Sequence, residues 1–395
     1  MNESATLALL LERGSLTRGE LRELTGLSKP TTSDVLRRLT EAGLAVLVGH
    51  TSGRPGPNAE IYAANSAAGH AVGVTVREAA DVSRARLAGA LCDLAGTVVA
   101  TAETTVDFGA GVDPAQAVTA VVEDLCAAAA LEPSRLHHVE LGVPGSYDAT
   151  TGSIRHIDVP GWDRPGLVAD LAGRLDVTVA AENDVNLAAI AERSRGVAAR
   201  SDSFALIWFG QGLGLAIDLS GTLLRGARGG AGEIGYMPVG LSRGDGRMDL
   251  QDLLGGPALL ALAAEHGLVG AATAEAAVAS AVRADVAPEG VASDAAPGGE
   301  RFLDAVADRI AWGVAAVAAV LDPALIVLAG ELARAGGEVL SDRVGAALRA
   351  TTPLDTAIAV TAITGDPVLL GALDAALRAV RETLISNLRN AIPAA

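Results

Sequence analysis

Ala180–Ala191 reads AAENDVNLAAIA and sets three polar residues, Glu182, Asn183 and Asp184, between an apolar run and an alanine-rich one. The preceding Val177–Ala181 (VTVAA) has the look of a strand, and a helix is expected from Asp184 or Val185 to about Ser194. Carboxylates and amides at such a switch commonly face a ligand, because open α/β sheets bind ligands off the carboxyl ends of their strands. Asp184 placed there suits a general base drawing a proton from a sugar hydroxyl. Asp184 or Asn183 equally suits an N-cap, accepting from helix amides that lack partners. The local sequence supports both readings.

Moving outward, 395 residues suit two or three domains. Half of the residues are hydrophobic and only 3% are aromatic, so the core must be built from Ala, Val and Leu in an α/β protein. No apolar run reaches the ~18–20 residues of a membrane span. The longest, Ala311–Leu321, contains Trp312 and Gly313 and stops at Asp322-Pro323. The N-terminus lacks a basic region followed by an apolar block, so neither a signal peptide nor a membrane partner is expected. Cys92 and Cys126 lie far apart without metal-type spacing, which fits buried free thiols in a reducing cytoplasm. Lys29 is the single lysine beside 29 arginines, a codon bias of GC-rich bacterial genomes.

A net charge of −17 argues against nucleic acid as a partner, but its distribution argues the other way. Residues 1–62 hold seven basic residues (Arg13, Arg18, Arg22, Lys29, Arg37, Arg38, Arg54) and seven acidic ones, so the whole excess lies beyond them. Within this neutral segment Thr6–Arg13 reads as a short helix, and Thr17-Arg18-Gly19-Glu20 is a capping box opening a second one to Leu24. Ser28 caps a third helix through about Ala42, with Pro30 in its first turn. Leu7, Leu10, Leu11, Leu21, Leu24, Leu27, Val35, Leu36 and Leu39 are the expected core. Strands at Leu44–Val48 and Glu60–Ala63 flank a Gly/Pro-rich tip, His50–Asn58, that carries Arg54. Three helices and a hairpin make a winged helix-turn-helix. Ser28, Lys29, Thr31, Thr32 and Ser33 are then expected in a major groove, Arg37 and Arg38 at phosphates, and Arg54 in a minor groove. A winged helix that binds protein has the same elements.

Residues 64–70 (ANSAAGH) read as a linker. Beyond them come strands near 71–76, 85–92, 97–105, 139–143 and 177–181, with helices near 114–130 and 165–174. A second set follows: strands at 204–209, 213–219 and 223–225, helices from 250 to 321 broken at 284–299, a strand at 325–328, a helix near 338–350, a strand at 357–363 and a closing helix from 368 to about 388. The expected domains are 1–63, a first α/β lobe over 71–185 completed by 366–395, and a second lobe over 186–365.

Several motifs now stand in order: Gly142-Val143-Pro144-Gly145, Val159-Pro160-Gly161-Trp162, Glu182-Asn183-Asp184, Gly210-Gln211-Gly212-Leu213-Gly214, and Arg228–Tyr236 (RGGAGEIGY). Behind a winged helix, this series resembles the ROK family of sugar-responsive repressors and sugar kinases, over nearly the whole chain. The resemblance implies two actin-like, ribonuclease-H-like lobes and a homodimer or tetramer. It implies the repressor branch, because the kinases generally lack the DNA-binding module. Partners would be a double-stranded DNA operator and a sugar or sugar phosphate.

The family's phosphate loop, DxGGT, is replaced here by Gly73-Val74-Thr75-Val76-Arg77-Glu78, and the adenosine-side glycines by Ala329-Gly330-Glu331. A base at Asp184 without a nucleotide site cannot transfer phosphate, so no catalytic residue and no cofactor are expected. The zinc-binding ExGH and CxCGxxGC pattern is also altered. Tyr236 stands for the His, and Gly240–Gln251 holds no cysteine. In relatives that cluster braces the sugar site and helps relay the DNA-binding signal. Sugar contacts carried over from the family fall on Gly145, Asn183, Asp184 and Glu233, with Asp158 in place of an Asn and Tyr236 in place of the His. The expectation is a sugar-responsive DNA-binding regulator. A ligand-independent regulator with a vestigial pocket and an active sugar kinase are the alternatives. His137-His138 is expected as a solvated pair, and Trp162 as a loop anchor rather than a sugar-stacking ring.

Overall fold

The computed structural model describes residues 2–51, 59–79, 81, 83–210, 212–241, 247–286 and 298–390. The chain opens with α1 (Asn2–Arg13), β1 (Leu16–Thr17), α2 (Arg18–Thr25), α3 (Lys29–Glu41), β2 (Ala45–His50) and β3 (Glu60–Ala64). Thr17 caps α2 with its side chain, and Glu20 returns a bond to the Thr17 amide at 2.7 Å, closing the expected capping box. Ser28 caps α3. The strands pair in the order β1-β3-β2, with Leu16 against Tyr62 and Leu47 against Tyr62 on the other side. Leu7, Leu10, Leu21, Val35, Leu36 and Leu39 are buried beneath this hairpin. Leu24 is not, being 48% exposed, and Leu11 and Leu27 are only half-buried.

Residues 64–70, expected as a linker, carry the end of β3, a 3-10 turn at Ser66–Ala68 and the start of the next strand. Hydrogen bonds hold this connector down: the Leu94 amide donates to the Ser66 carbonyl at 2.9 Å, and the Arg135 side chain donates to the Ala67 carbonyl at 2.9 Å.

Next come β4 (His70–Glu78), β5 (Arg84–Asp93), β6 (Val98–Asp107), α4 (Pro114–Ala128), β7 (His138–Val143), β8 (Ser146–Asp148), β9 (Ser153–Arg155), α5 (Leu167–Leu175), β10 (Thr178–Asn183) and α6 (Asp184–Arg195). One sheet has the order β10-β7-β4-β5-β6. Its first three strands in sequence form an antiparallel meander, and β7 then adds in parallel to the other side of β4. The β4–β5 ladder is unbroken from His70↔Asp93 to Glu78↔Ala85.

The same plan recurs with β11 (Ser203–Phe209), β12 (Leu213–Leu219), β13 (Thr222–Leu223), β14 (Pro238–Leu241), β15 (Arg247–Asp249), α7 (Leu250–Leu254), α8 (Gly256–Glu265), α9 (Ala274–Asp285), α10 (Gly299–Leu321), β16 (Leu325–Ala329), α11 (Gly330–Thr351), β17 (Ala357–Val360) and α12 (Pro367–Asn390). The order is β13-β12-β11-β16-β17, again a meander followed by parallel additions beside its first strand. α11 begins at Gly330, eight residues before the expected start near 338, because Gly337 breaks it with φ 53°. The segment before that break opens on Gly-Glu and lacks the signals of a helix start.

The chain divides into two compact units. The first holds the described residues of 1–144, 152–182 and 372–395, the second those of 145–151 and 183–371. The winged helix and the first sheet fall in one unit, and residues 145–151 fall in the other with 183–371. In that unit α10 and α11 bury Phe302, Val306, Ile310, Val314, Leu340 and Val344 over β11 and β16. Among the described residues no helix is long and apolar enough to cross a membrane. Phe302 is fully buried with its ring 6.3 Å from that of His266. Phe302→Ala is expected to cost about 3–5 kcal/mol, read as a lowered urea midpoint with an unchanged slope.

Candidate functional site

Asn183 is the N-cap of α6, and its side-chain oxygen accepts from the amides of Val185 at 2.9 Å and Asn186 at 3.1 Å. Its side-chain nitrogen donates to the Gly145 carbonyl at 3.0 Å. The two readings of this stretch therefore separate by one residue: Asn183 takes the cap, and Asp184 occupies the first helical position. Asp184 accepts from the Val185 amide at 2.8 Å through one oxygen. Gly145 belongs with this cluster through its carbonyl.

Glu233 and Tyr236 lie in the same unit, in the loop after β13. Gly232 adopts φ 97°, and a Cβ there would overlap the Leu215 carbonyl oxygen. The Leu215 amide donates to the Gly232 carbonyl at 3.0 Å, so the loop is pinned to β12. That pin sets Glu233 at the head of a 3-10 turn, Ile234–Tyr236, with Ile234 buried and Glu233 half-exposed. Tyr236 is 63% exposed. Asp158 falls in the other unit. It is exposed, and its amide donates to Glu78 at 3.3 Å. Gly145, Asn183, Asp184, Glu233 and Tyr236 thus share one unit, and Asp158 does not.

Glu192, two turns along α6, is a residue that the sequence reading passed over. It is 1% exposed, and it accepts from the Thr361 hydroxyl and, at 2.9 Å, from the Val197 amide. Burial pushes its carboxyl above the usual range, against the lowering effect of those two bonds. Its only mark in the sequence is a lone acid on an alanine-rich helix.

At the winged helix, Ser28 accepts from the Thr31 amide at 3.3 Å and shares a 2.7 Å bond with the Thr31 hydroxyl. Ser28 and Lys29 are exposed at the head of α3, while Thr31 and Ser33 are half-buried. Thr32 is 1% exposed, its hydroxyl bonded to the Ser28 carbonyl at 3.0 Å, so it faces the core and not a groove. It lies one turn before Val35 and Leu36, which share that buried face. Arg37 is held between Asp34 and Glu41, both at 2.6 Å. Arg38 is mostly buried against Glu3 at 2.7 Å and Asp34 at 2.9 Å. Both arginines are internally paired, which weakens the expectation that they meet phosphates. Arg54 lies outside the described residues.

Trp162 is fully buried, edge-on to Phe108 with ring centroids 5.6 Å apart, so it closes its loop against the core. His138 is not solvated. It is buried between the Thr178 hydroxyl at 2.9 Å and Glu140 at 3.1 Å, while His137 accepts from the His70 amide at 3.3 Å. Cys92 and Cys126 are buried and free, and burial pushes the Cys92 thiol up to about 11. The donor set at the place of the family's zinc, an exposed Tyr236 with no cysteine over 240–251, does not fit that ion.

A model of the ROK family matches residues 78–377, and a model of the MarR family matches residues 1–54. The xylose repressor of Bacillus subtilis (strain 168) is 24% identical over 239 residues, 60% of this chain and 60% of the repressor. A glucokinase of Halalkalibacterium halodurans is 29% identical over 220 residues, 52% of this chain and 65% of the kinase. The match thus spans less than two thirds of the length of either relative. A crystal structure of a ROK family transcriptional regulator, a homologue of the E. coli MLC protein, superposes with a TM-score of 0.74 at 18% identity. It covers 99% of this chain and 98% of that one, and at such identity it establishes the fold.

Two outcomes follow from the bonds around α6. Asn183→Ala is expected to lower stability by about 1–2 kcal/mol through loss of the cap, measured by chemical denaturation. For Glu192, a carboxyl raised in the fold adds stability that is present below its unfolded pKa and is lost as the pH rises through its folded one. Glu192→Gln should therefore raise the Tm relative to the native chain at pH 8, with the gap closing toward pH 4. A gap that widens toward acid would reverse the assignment.

Proposed function

The chain belongs to the ROK family, and from that premise we propose that it is a sugar-responsive DNA-binding regulator, a repressor of carbohydrate-metabolism genes, without kinase activity. The observation that carries the reading is the pairing of a complete winged helix, its recognition helix headed by exposed Ser28 and Lys29, with a polar cluster at Asp184.

Phosphoryl transfer needs amides free to cradle phosphates. In place of the family's glycine loop, Val74–Glu78 pairs residue by residue with Ala85–Gly89. Gly73 serves packing, since a Cβ there would stand 3.0 Å from both the Ala372 methyl and the Leu373 nitrogen. At Gly210-Gln211-Gly212-Leu213-Gly214, which by resemblance takes the place of the family's second phosphate loop, a Cβ on Gly210 would lie 2.7 Å from the Glu331 carboxylate. An acidic group beside that loop repels a phosphate. These features oppose nucleotide binding and do not involve Asp184 or Glu233.

In this reading Asp184 accepts a sugar hydroxyl proton, and Glu233 and Tyr236 supply further polar contacts. Asn183 acts mainly by positioning, because its amide is engaged in the cap. Two copies of α3, one per protomer of a homodimer, would meet half-sites about one helical turn apart. A sugar changes operator affinity only as far as it binds two states unequally.

The test is fluorescence anisotropy on a labelled duplex from upstream of the chain's own gene, with xylose, glucose and N-acetylglucosamine and their phosphates as effectors. Lys29→Ala should weaken DNA binding at least tenfold, about 1.4 kcal/mol. Asp184→Asn should keep DNA binding and lose the sugar response. No response to any carbohydrate leaves a ligand-independent regulator, and an unaltered sugar response in Asp184→Asn takes Asp184 out of the sugar site. ATP turnover with glucose would instead show a kinase.

A further inference from the structure

The division between the two compact units falls inside α12, after Gly371. This helix is capped by Asp366, whose carboxylate accepts from Val368 at 3.0 Å and Leu369 at 3.1 Å. At its first turn, a Cβ on Gly371 would overlap the carbonyl oxygen of Leu187, so the α12 backbone lies directly on the backbone of α6. Leu187 is three residues beyond Asp184, on the helix that Asn183 caps.

From Ala372 onward the same helix belongs to the first unit. Ala372, Leu373, Ala376, Leu377 and Val380 are buried along one stripe. Arg381 donates to the Leu94 carbonyl through two nitrogens, at 2.8 and 3.2 Å. A Cβ on Gly69 would stand 2.8 Å from Val380 and 3.1 Å from Leu384, so α12 also clasps the connector that leaves the winged helix. Its last turns enter the winged-helix core itself. Ile385, 6% exposed, clusters with Leu7, Leu10, Leu36 and Leu39, and Leu384 and Leu388 pack around it. Neither Gly nor Pro interrupts the helix after Gly371.

We propose that α12 is the rod that couples the Asp184 cluster to the recognition helix, its first turn reading α6 and its last turns completing the core beneath α3. Both ends are close-packed, and such interfaces switch between discrete arrangements rather than deforming smoothly. A displacement of α6 therefore moves α12, and through Ile385 it changes how α3 is seated. This inference rests on the proposed function for its biological meaning, while the coupling itself is a property of the chain.

The experiment is hydrogen exchange on the full chain, read at amides 185–190 of α6, 35–41 of α3 and 204–209 of β11. Gly371→Ala pushes at the α6 end and is expected to speed exchange in α3 by roughly tenfold or more, with β11 unchanged. Ile385→Ala is a milder change that cuts one side chain from the winged-helix core. Because coupling is reciprocal, it is expected to speed exchange in α6 as well as in α3. Perturbations that stay at their own end in both variants overturn the proposal. If Gly371→Ala does not fold, Ile385→Ala decides alone. Added xylose or N-acetylglucosamine tests the underlying reading separately. Sugars that leave α6 unprotected in the native chain count against the sugar site, and the two variants still decide the rod.

Discussion

One side-chain amide sets the geometry on which the candidate site depends. Asn183 satisfies two of the free amides at the head of α6 with its oxygen and holds the Gly145 carbonyl with its nitrogen. An aspartate in its place would cap the helix but could not donate to Gly145, and a serine would not span both partners. With the cap assigned to residue 183, the carboxylate of Asp184 stands at the first helical position, where it accepts from the Val185 amide. Of the two explanations of this motif, the cap falls to Asn183, and on the proposed function the ligand-facing acid would be its neighbour Asp184.

Much of the fold was legible because its signals were local. The capping box at Thr17 and Glu20, the Ser28 cap and the short apolar runs of both meanders each depend on neighbours within a few residues. What was not legible depended on partners far away in sequence. Thr32 looked like its hydroxyl neighbours, and only the buried face shared with Val35 and Leu36 turns it inward. His138 looked solvated until Thr178 and Glu140 closed around it. The winged helix read as a module over 1–63, yet its core contains Ile385, a residue that no local pattern ties to it. The break at Gly337 hid the first turns of α11 because a glycine within a helix reads as an end.

The charge distribution also has a physical meaning. A body that carries the whole excess of −17 is repelled by DNA, while the winged helix is neutral. Arg37 and Arg38 spend their charge within the winged helix, on Asp34, Glu41 and Glu3. On the proposed function, little attraction would hold the protein on arbitrary sequence, and operator affinity would have to come from close fit at the head of α3. Such a balance favours discrimination over residence.

Gly73 has a bearing on how such a chain can change over generations. It stands where a phosphate-binding glycine would be expected, but its bare Cα is covered by Ala372 and Leu373, and the strand that follows is fully paired with β5. Restoring the missing loop residues would not release those amides, since the strand could open only by lifting α12, which also carries Ile385 in the winged-helix core. On the proposed function, packing would oppose a return to kinase chemistry as much as the lost side chains do. A chain that seats its final helix this way makes a glycine phosphate loop on this strand hard to regain by single substitutions.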